Sequence, residues 1–299
     1  MTVTSNKPHF IIVANPATPK SAGISTLWHL ADTIEVSGYE VTRLNLLQKS
    51  VDEFVVSLDK IHWIPATEGS IRYLTRDIEF PIFISGENID CKYFQSMNFC
   101  RYHLNRMGNL VNKGSIGPDE YHIAFLDFFY PNANFNLILH NIKIDLDEAR
   151  NLPLDGRSVN LTYFGKAHLY HQKLEPVQGS IVLTRTWPET NEAYQNLMKK
   201  ARFVFCYDSL TSVINDAILL GAMPVILSHL PFTRDEYIAQ FKDLPAYLPY
   251  EGQELEKFVS TFPARRQKFL DDEIYLRDSY SLRVQTMCED IVKFFSKKR

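Results

Sequence analysis

Cysteine is scarce in this chain, and the four present (Cys91, Cys100, Cys206, Cys288) show no C-x-x-C spacing. That pattern gives no zinc site and fits reduced thiols in a cytoplasm better than a disulfide scaffold. Charge of one sign is lacking too. The formal net charge is −3, which argues against broad electrostatic binding to nucleic acid and leaves room only for a local basic cleft. No run approaches the ~20 apolar residues of a membrane span. The opening MTVTSNKPHF has no basic-then-apolar leader, so a cytoplasmic location is expected. A G-x-x-x-x-G-K-[ST] loop is missing, which disfavours a kinase or ATPase, and no repeat of solenoid period is found.

What is present is an ordinary globular composition of 299 residues, 45% apolar and 22% charged, enough for one large or two modest domains. HFIIVA (9–14) reads as a buried strand. After the loop NPATPKSAG comes a helix with Leu27, Leu30, Ala31 and Ile34 at helical spacing and Gly38 as C-cap. EVTRLNL alternates as a strand does; KIHWIP and FPIFIS are two more short apolar runs. Past the looser LDEARNLPLDGRS, the rhythm resumes with VNLTYFG, SIVLT, RFVFCY and MPVILS as strands. PETNEAYQNLMKK is a helix with Pro188 in its first turn, and the tail from Glu251 is helix-rich. Strands alternating with helices imply parallel sheets covered on both faces. The expected fold is α/β, with two Rossmann-like domains facing a cleft, residues 1–150 and 151–299, and C-terminal helices. The basic, aromatic end FFSKKR suits a helix C-terminus and allows at most peripheral contact with an anionic membrane.

The informative stretch is YDSLTSVINDAILLGAMPVIL (207–227). Leu210, Val213, Ile214, Ala217, Ile218 and Gly221 form one apolar stripe for a helix lying on the sheet. Asp216 falls outside the stripe, and Ser209 or Asp208 is the expected N-cap. The strand RFVFCY stops just before, which puts this turn at the carboxyl edge of the sheet, where ligands of open α/β sheets bind. There the first helical N–H groups favour a phosphate, and Ser209 and Thr211 add hydroxyl donors. Asp216, two turns deeper, is placed to accept from a ribose diol. The plainer alternatives are a simple helix cap and a solvated aspartate.

Asp208 and Asp216, with seven residues between them and AILLGAMPVIL after, resemble the donor-site signature of GT-B glycosyltransferases. Here aspartate replaces the family's glutamate at both places, which shortens their reach. GAMPVI is also similar to the corresponding part of the fucosyltransferase and exostosin branches. The resemblance covers roughly residues 160–240. It implies transfer of a sugar from a nucleotide-sugar donor, a UDP-sugar first, to a glycan or lipid-linked acceptor in surface polysaccharide or lipopolysaccharide biosynthesis, without a metal cofactor. The N-terminal domain would be the acceptor side and the C-terminal one the nucleotide-sugar side.

The departing phosphate gains charge, so cations or donors must meet it. Lys166 in YFGKAHLYH and Arg185 in LTRTWP each follow a strand and are the candidates. Trp187 would pack on base or sugar, and Asp208 would serve the sugar or the loop geometry. On the acceptor side, Gly23 lies in the loop Thr18–Ser25, where it allows close backbone approach. Glu68 in IPATEGS and Glu87 in FISGENI follow strands. In an inverting enzyme either could take the acceptor proton; either could equally be a cap.

Three alternatives stay open. Asp145-Leu146-Asp147 resembles the metal site of GT-A glycosyltransferases, where a divalent ion bridges diphosphate and protein, although DLDEAR also reads as a helix start. A two-lobed protein that binds a nucleotide sugar without turnover fits the same rhythm, as does a nucleotide-sugar epimerase. His103 and His140 belong to no motif.

Overall fold

The computed structural model describes residues 7–16, 21–50, 53–105, 115–171 and 173–298. The chain forms two compact units, one of Met1–Leu139 with Ser279–Arg299 and one of His140–Asp278.

The first unit is built on an eight-stranded sheet of order β4-β3-β2-β1-β5-β6-β7-β8. Its strands are β1 (His9–Ala14), β2 (Glu40–Gln48), β3 (Phe54–Ser57), β4 (Ile64–Pro65), β5 (Pro81–Gly86), β6 (Asn98–His103), β7 (Tyr121–Ala124) and β8 (Phe135–Asn136). From β2 through β8 the neighbours are parallel; β3 and β4 add an antiparallel edge. Side chains alternate between faces along each strand. Phe10, Ile12, Ile82 and Ile84 join Leu30 and Ile34 of α1 (Ala22–Val36) in one core. Ile11, Val13, Leu44, Val56 and Phe83 join Ile71 of α2 (Glu68–Leu74) in the other.

The second unit holds a four-stranded parallel sheet of order β10-β9-β11-β12. These strands are β9 (Val159–Tyr163), β10 (Ile181–Leu183), β11 (Ala201–Cys206) and β12 (Met223–Ile226). Its helices are α3 (Leu146–Arg150), α4 (Asn191–Lys200), α5 (Ser212–Leu219), α6 (Arg234–Phe241) and most of α7 (Leu255–Ser296). From Ser279 onward α7 belongs to the first unit. There Tyr280, Val284, Met287 and Ile291 complete the Phe10 core.

The fold is therefore mixed α/β with two largely parallel sheets and a long C-terminal helix. Helix starts differ from expectation in two places. Thr190, whose side chain accepts from Ala193 N, caps α4, so Pro188 precedes the helix instead of opening it. Thr211 caps α5 by accepting from Val213 N, a task expected of Ser209 or Asp208. Of KIHWIP only Ile64–Pro65 pairs as strand. Among the described residues no helix is long and apolar enough to cross a membrane.

Candidate functional site

Strand order locates the crevices. In a parallel sheet, loops leave the carboxyl ends of neighbouring strands in opposite directions where the winding reverses, and a ligand fits between them. In the second unit β10 lies on one side of β9 and β11 on the other, so the reversal falls between the ends of β9 and β11. The two segments that leave there are Phe164–His171 and Tyr207–Thr211. In the first unit β2 and β5 flank β1, and the reversal falls between the ends of β1 and β5.

The β9/β11 edge is held by three contacts between loops. Asp208 Oδ2 accepts from the backbone N of Lys166 at 2.9 Å, and Oδ1 accepts from Leu210 N at 3.2 Å. Ser209 Oγ donates to Leu230 O at 2.6 Å. His171 Nε2 meets Ser228 Oγ at 3.0 Å, and that same oxygen accepts from Leu230 N. Together these tie the loops after β9, β11 and β12. Gly165 makes the first contact possible. Its φ is +54°, and an added Cβ would lie 2.7 Å from both Asp208 Cβ and the Tyr163 ring. Only glycine fits that turn without strain.

Above this frame the edge is electropositive. Lys166 sits half-buried in the turn after β9, and Arg185 is exposed two residues past β10. Neither makes an ion pair with another described residue. Tyr163, last residue of β9 and 8% exposed, joins them. Burial pushes its phenol up, while hydrogen bonds with the Thr211 hydroxyl and the Arg185 guanidinium pull it down and the Asp208 carboxylate adds to the rise. Tyr170 is raised as well, by burial and then by Asp208. Trp187 is 44% exposed in the turn that carries Arg185. That turn is closed by Thr184 N to Trp187 O at 3.1 Å and Trp187 N to Thr184 Oγ1 at 2.9 Å.

The structure thus brings Lys166, Arg185, Trp187, Asp208 and Thr211 to one sheet edge. Ser209 lies there too, but it is 2% exposed and its hydroxyl proton goes to Leu230 O, so it braces the loop and offers no donor to a ligand. Asp216 departs further from expectation. It is 4% exposed, with Oδ1 accepting from Asn141 Nδ2 at 2.6 Å and Oδ2 from Tyr194 OH at 2.9 Å. Burial pushes its carboxyl up, against those two bonds and Lys143. A ribose-binding acid needs open oxygens, and both of these are held. The apolar stripe identifies the sheet-facing side of α5; it does not reveal that Asn141 and Tyr194 of α4 cover the other side.

Asp145 and Asp147 are a helix start. Asp145 Oδ1 accepts from the N–H groups of Asp147 and Glu148, and Asp147 pairs with Arg277 at 3.1 Å. Among the described residues no group of three or more His, Cys, Asp or Glu is placed to hold a metal ion.

In the first unit, Thr18–Lys20 of the expected acceptor loop lie outside the described residues, and Gly23 stands in the first turn of α1. Glu87 directly follows β5, at the reversal. It is 9% exposed, and Oε2 accepts from Leu104 N at 3.0 Å. Glu68 opens α2 and receives Arg72 Nε and Nη2 at 3.0 and 2.9 Å, a surface helix pair. Beside Glu87, β6 ends in His103. Its Nε2 meets His122 Nδ1 at 3.0 Å and its ring stacks on Tyr130 at 4.2 Å. Burial, with His122 and Arg101 near, pushes the His103 imidazole down to about 3. His140 lies in the second unit with its Nδ1 buried.

Sequence reasoning missed Tyr163, Asn141 and Tyr194. For Tyr163 a signal existed: it is the last residue of a strand, immediately before the FGK turn. The other two carry none, because their partner is distant in sequence.

No protein-family model matches the chain, and no curated protein does. Among solved structures, the chain is similar to the glycosyltransferase SnogD from Streptomyces nogalater, at 9% identity and a TM-score of 0.45, over 96% of this chain and 100% of that one. A likeness this distant is one of outline; the site stands on its own geometry.

Proposed function

We propose that the chain is a glycosyltransferase of the GT-B type that moves a sugar from a nucleotide-sugar donor, a UDP-sugar, to a glycan or lipid-linked acceptor of a surface polysaccharide. The observation that carries this reading is the β9/β11 edge. Two cations without carboxylate partners, Lys166 and Arg185, stand there with Thr211 and the amino end of α5. Such an edge suits a diphosphate, because backbone N–H groups and guanidinium both favour negative oxygens. The Asp208-x7-Asp216 and GAMPVI pattern resembles a donor site at the same place.

In the proposed step, the bond from the anomeric carbon to the β-phosphate oxygen breaks and its electron pair leaves with the diphosphate. Lys166 and Arg185 stabilise that charge as it develops. The acceptor oxygen bonds to the anomeric carbon, and its proton passes to a carboxylate. We assign that task to Glu87, because it stands at the reversal of the first sheet, whereas Glu68 is engaged by Arg72 on a helix surface. Gly23 remains the acceptor-side glycine of this proposal, and Trp187 offers an exposed indole face for base or sugar. The ribose role of Asp216 is given up; Asp208 acts through loop geometry. No metal is required of this arrangement, and a cytoplasmic place of action with at most peripheral membrane contact belongs to the same proposal.

The direct test is turnover with a panel of nucleotide sugars, reading free nucleotide with and without acceptor glycans. Release of one nucleotide that rises with acceptor supports transfer. Binding without release points to a sensor, and an isomerised donor to an epimerase; either result contradicts the proposal.

A further inference from the structure

We infer that Tyr163 is a positioning residue that fixes the guanidinium of Arg185 over the β9/β11 edge and aims the hydroxyl of Thr211 at a bound diphosphate. The inference rests on the donor-site reading above and goes beyond it, since nothing in the sequence pattern singles out this tyrosine.

Arg185 is on a turn past the shortest strand of its sheet, and its side chain is exposed. A free arginine there would sample many rotamers, and ordering it on each binding event would weaken affinity. The partner that holds it is Tyr163, whose ring is almost fully buried at the end of β9. Gly165 lets the turn pass directly over that ring; an added Cβ would stand 2.7 Å from Tyr163 Cε1. The phenol is thus part of the rigid frame, and the arginine leans on it.

The direction of the bonds follows from what each group can do. A guanidinium only donates, so Tyr163 Oη accepts from Arg185. The phenol then gives its proton to Thr211 Oγ1, which also accepts from Val213 N at 3.3 Å. With both of its lone pairs used, Thr211 keeps its own O–H free to donate outward. Arg185 to Tyr163 to Thr211 to ligand is therefore a one-way relay of donors toward an anion. It spans the ends of β10, β9 and β11, and it leaves four of the five guanidinium N–H groups for phosphate oxygens.

The test is Tyr163→Phe, which keeps the buried ring and removes the relay. Binding of UDP is measured by calorimetry for wild type, Tyr163→Phe, Arg185→Ala and the double variant. In parallel, the Arg185 Nε–H resonance of the ligand-free protein is followed by NMR. Expected are an ordered Arg185 signal that becomes motionally averaged in Tyr163→Phe, and about a tenfold loss of UDP affinity. In Arg185→Ala the Phe substitution should cost no further affinity, because it acts through that arginine. A merely structural tyrosine would lower thermal stability and add its effect to that of Arg185→Ala; that outcome overturns the inference. UDP binding and Arg185 order both indifferent to Tyr163→Phe would overturn it alone. A wild type that binds no UDP, with Arg185 ordered, would overturn the donor-site reading and the role together.

Discussion

The carboxylate of Asp208 accepts the backbone N–H of Lys166 at 2.9 Å across 42 residues of sequence. This single bond joins the loops after the two strands between which the second sheet reverses its winding, and so sets the floor of the candidate site. Truncation by Asp208→Ala should orphan the N–H groups of Lys166 and Leu210 and lower stability by about 2 kcal/mol. Asp208→Asn, which keeps an acceptor, should cost less. Urea midpoints for the two variants give the comparison, and equal loss in both would show that charge, not acceptance, is what matters.

Gly165 sits in that floor at φ +54° with no room for a methyl group. Gly165→Ala combines backbone strain with a clash against the Asp208 and Tyr163 side chains, and should cost more than about 1 kcal/mol. A stability equal to wild type in the same urea titration would mean that the turn is free to move.

Asp216 separates a structural role from a ligand role. With both oxygens held by Asn141 and Tyr194, Asp216→Ala should destabilise by roughly 3 kcal/mol, leaving two buried donors unsatisfied. Asp216→Asn should retain most of the stability and should leave nucleotide affinity near wild type. A large loss of affinity in Asp216→Asn at unchanged melting temperature would restore the ribose assignment.

How much was legible follows from which side chains the strands bury. β1, β9 and β11 are uninterrupted apolar runs, and their bounds lie within a residue or two of those read from HFIIVA, VNLTYFG and RFVFCY. β6 and β7 were not read as strands, because NFCRYH and YHIA carry Arg101, His103 and His122 inside the first unit. Arg101 is fully buried there only because Glu120 meets it at 2.6 and 2.7 Å and the carbonyls of Glu87, Ile89 and Ser115 take its remaining donors. Such pairing is set by tertiary structure, so local pattern cannot announce it. The return of α7 to the first unit is hidden for the same reason: helical periodicity shows a stripe but not what covers it. Within the site, residues at strand ends were legible by type and place, whereas the partners of Asp216 were not.

Glu273 supplies a pH-dependent check on the second unit. Burial, opposed by its bond from Asn141 N at 2.7 Å and reinforced by Asp216 and Asp272, pushes its carboxyl up to about 7. An acid whose folded pKa is raised holds its proton more tightly when folded, so its stability contribution is greatest below about 4.5 and is lost as pH rises through about 7. Glu273→Gln keeps an acceptor for Asn141 and removes the titration. It should be more stable than wild type by about 2–3 kcal/mol at pH 8 and closer to it at pH 5. Melting curves at both values decide, and a gap independent of pH would exclude titration of Glu273 in that range.

The most direct measurement is the thermal shift of wild type and Arg185→Ala across a concentration series of UDP. A ligand that binds only the native state stabilises it by about 2.7 kcal/mol at one hundred times its dissociation constant, so even a weak donor-site ligand registers. The account predicts a melting temperature that climbs steadily with UDP in wild type, with Arg185→Ala folded but needing at least about tenfold more UDP for the same shift. Identical curves for the two proteins, or no shift in either at millimolar nucleotide, would contradict the placement of a sugar nucleotide's phosphates at the β9/β11 edge.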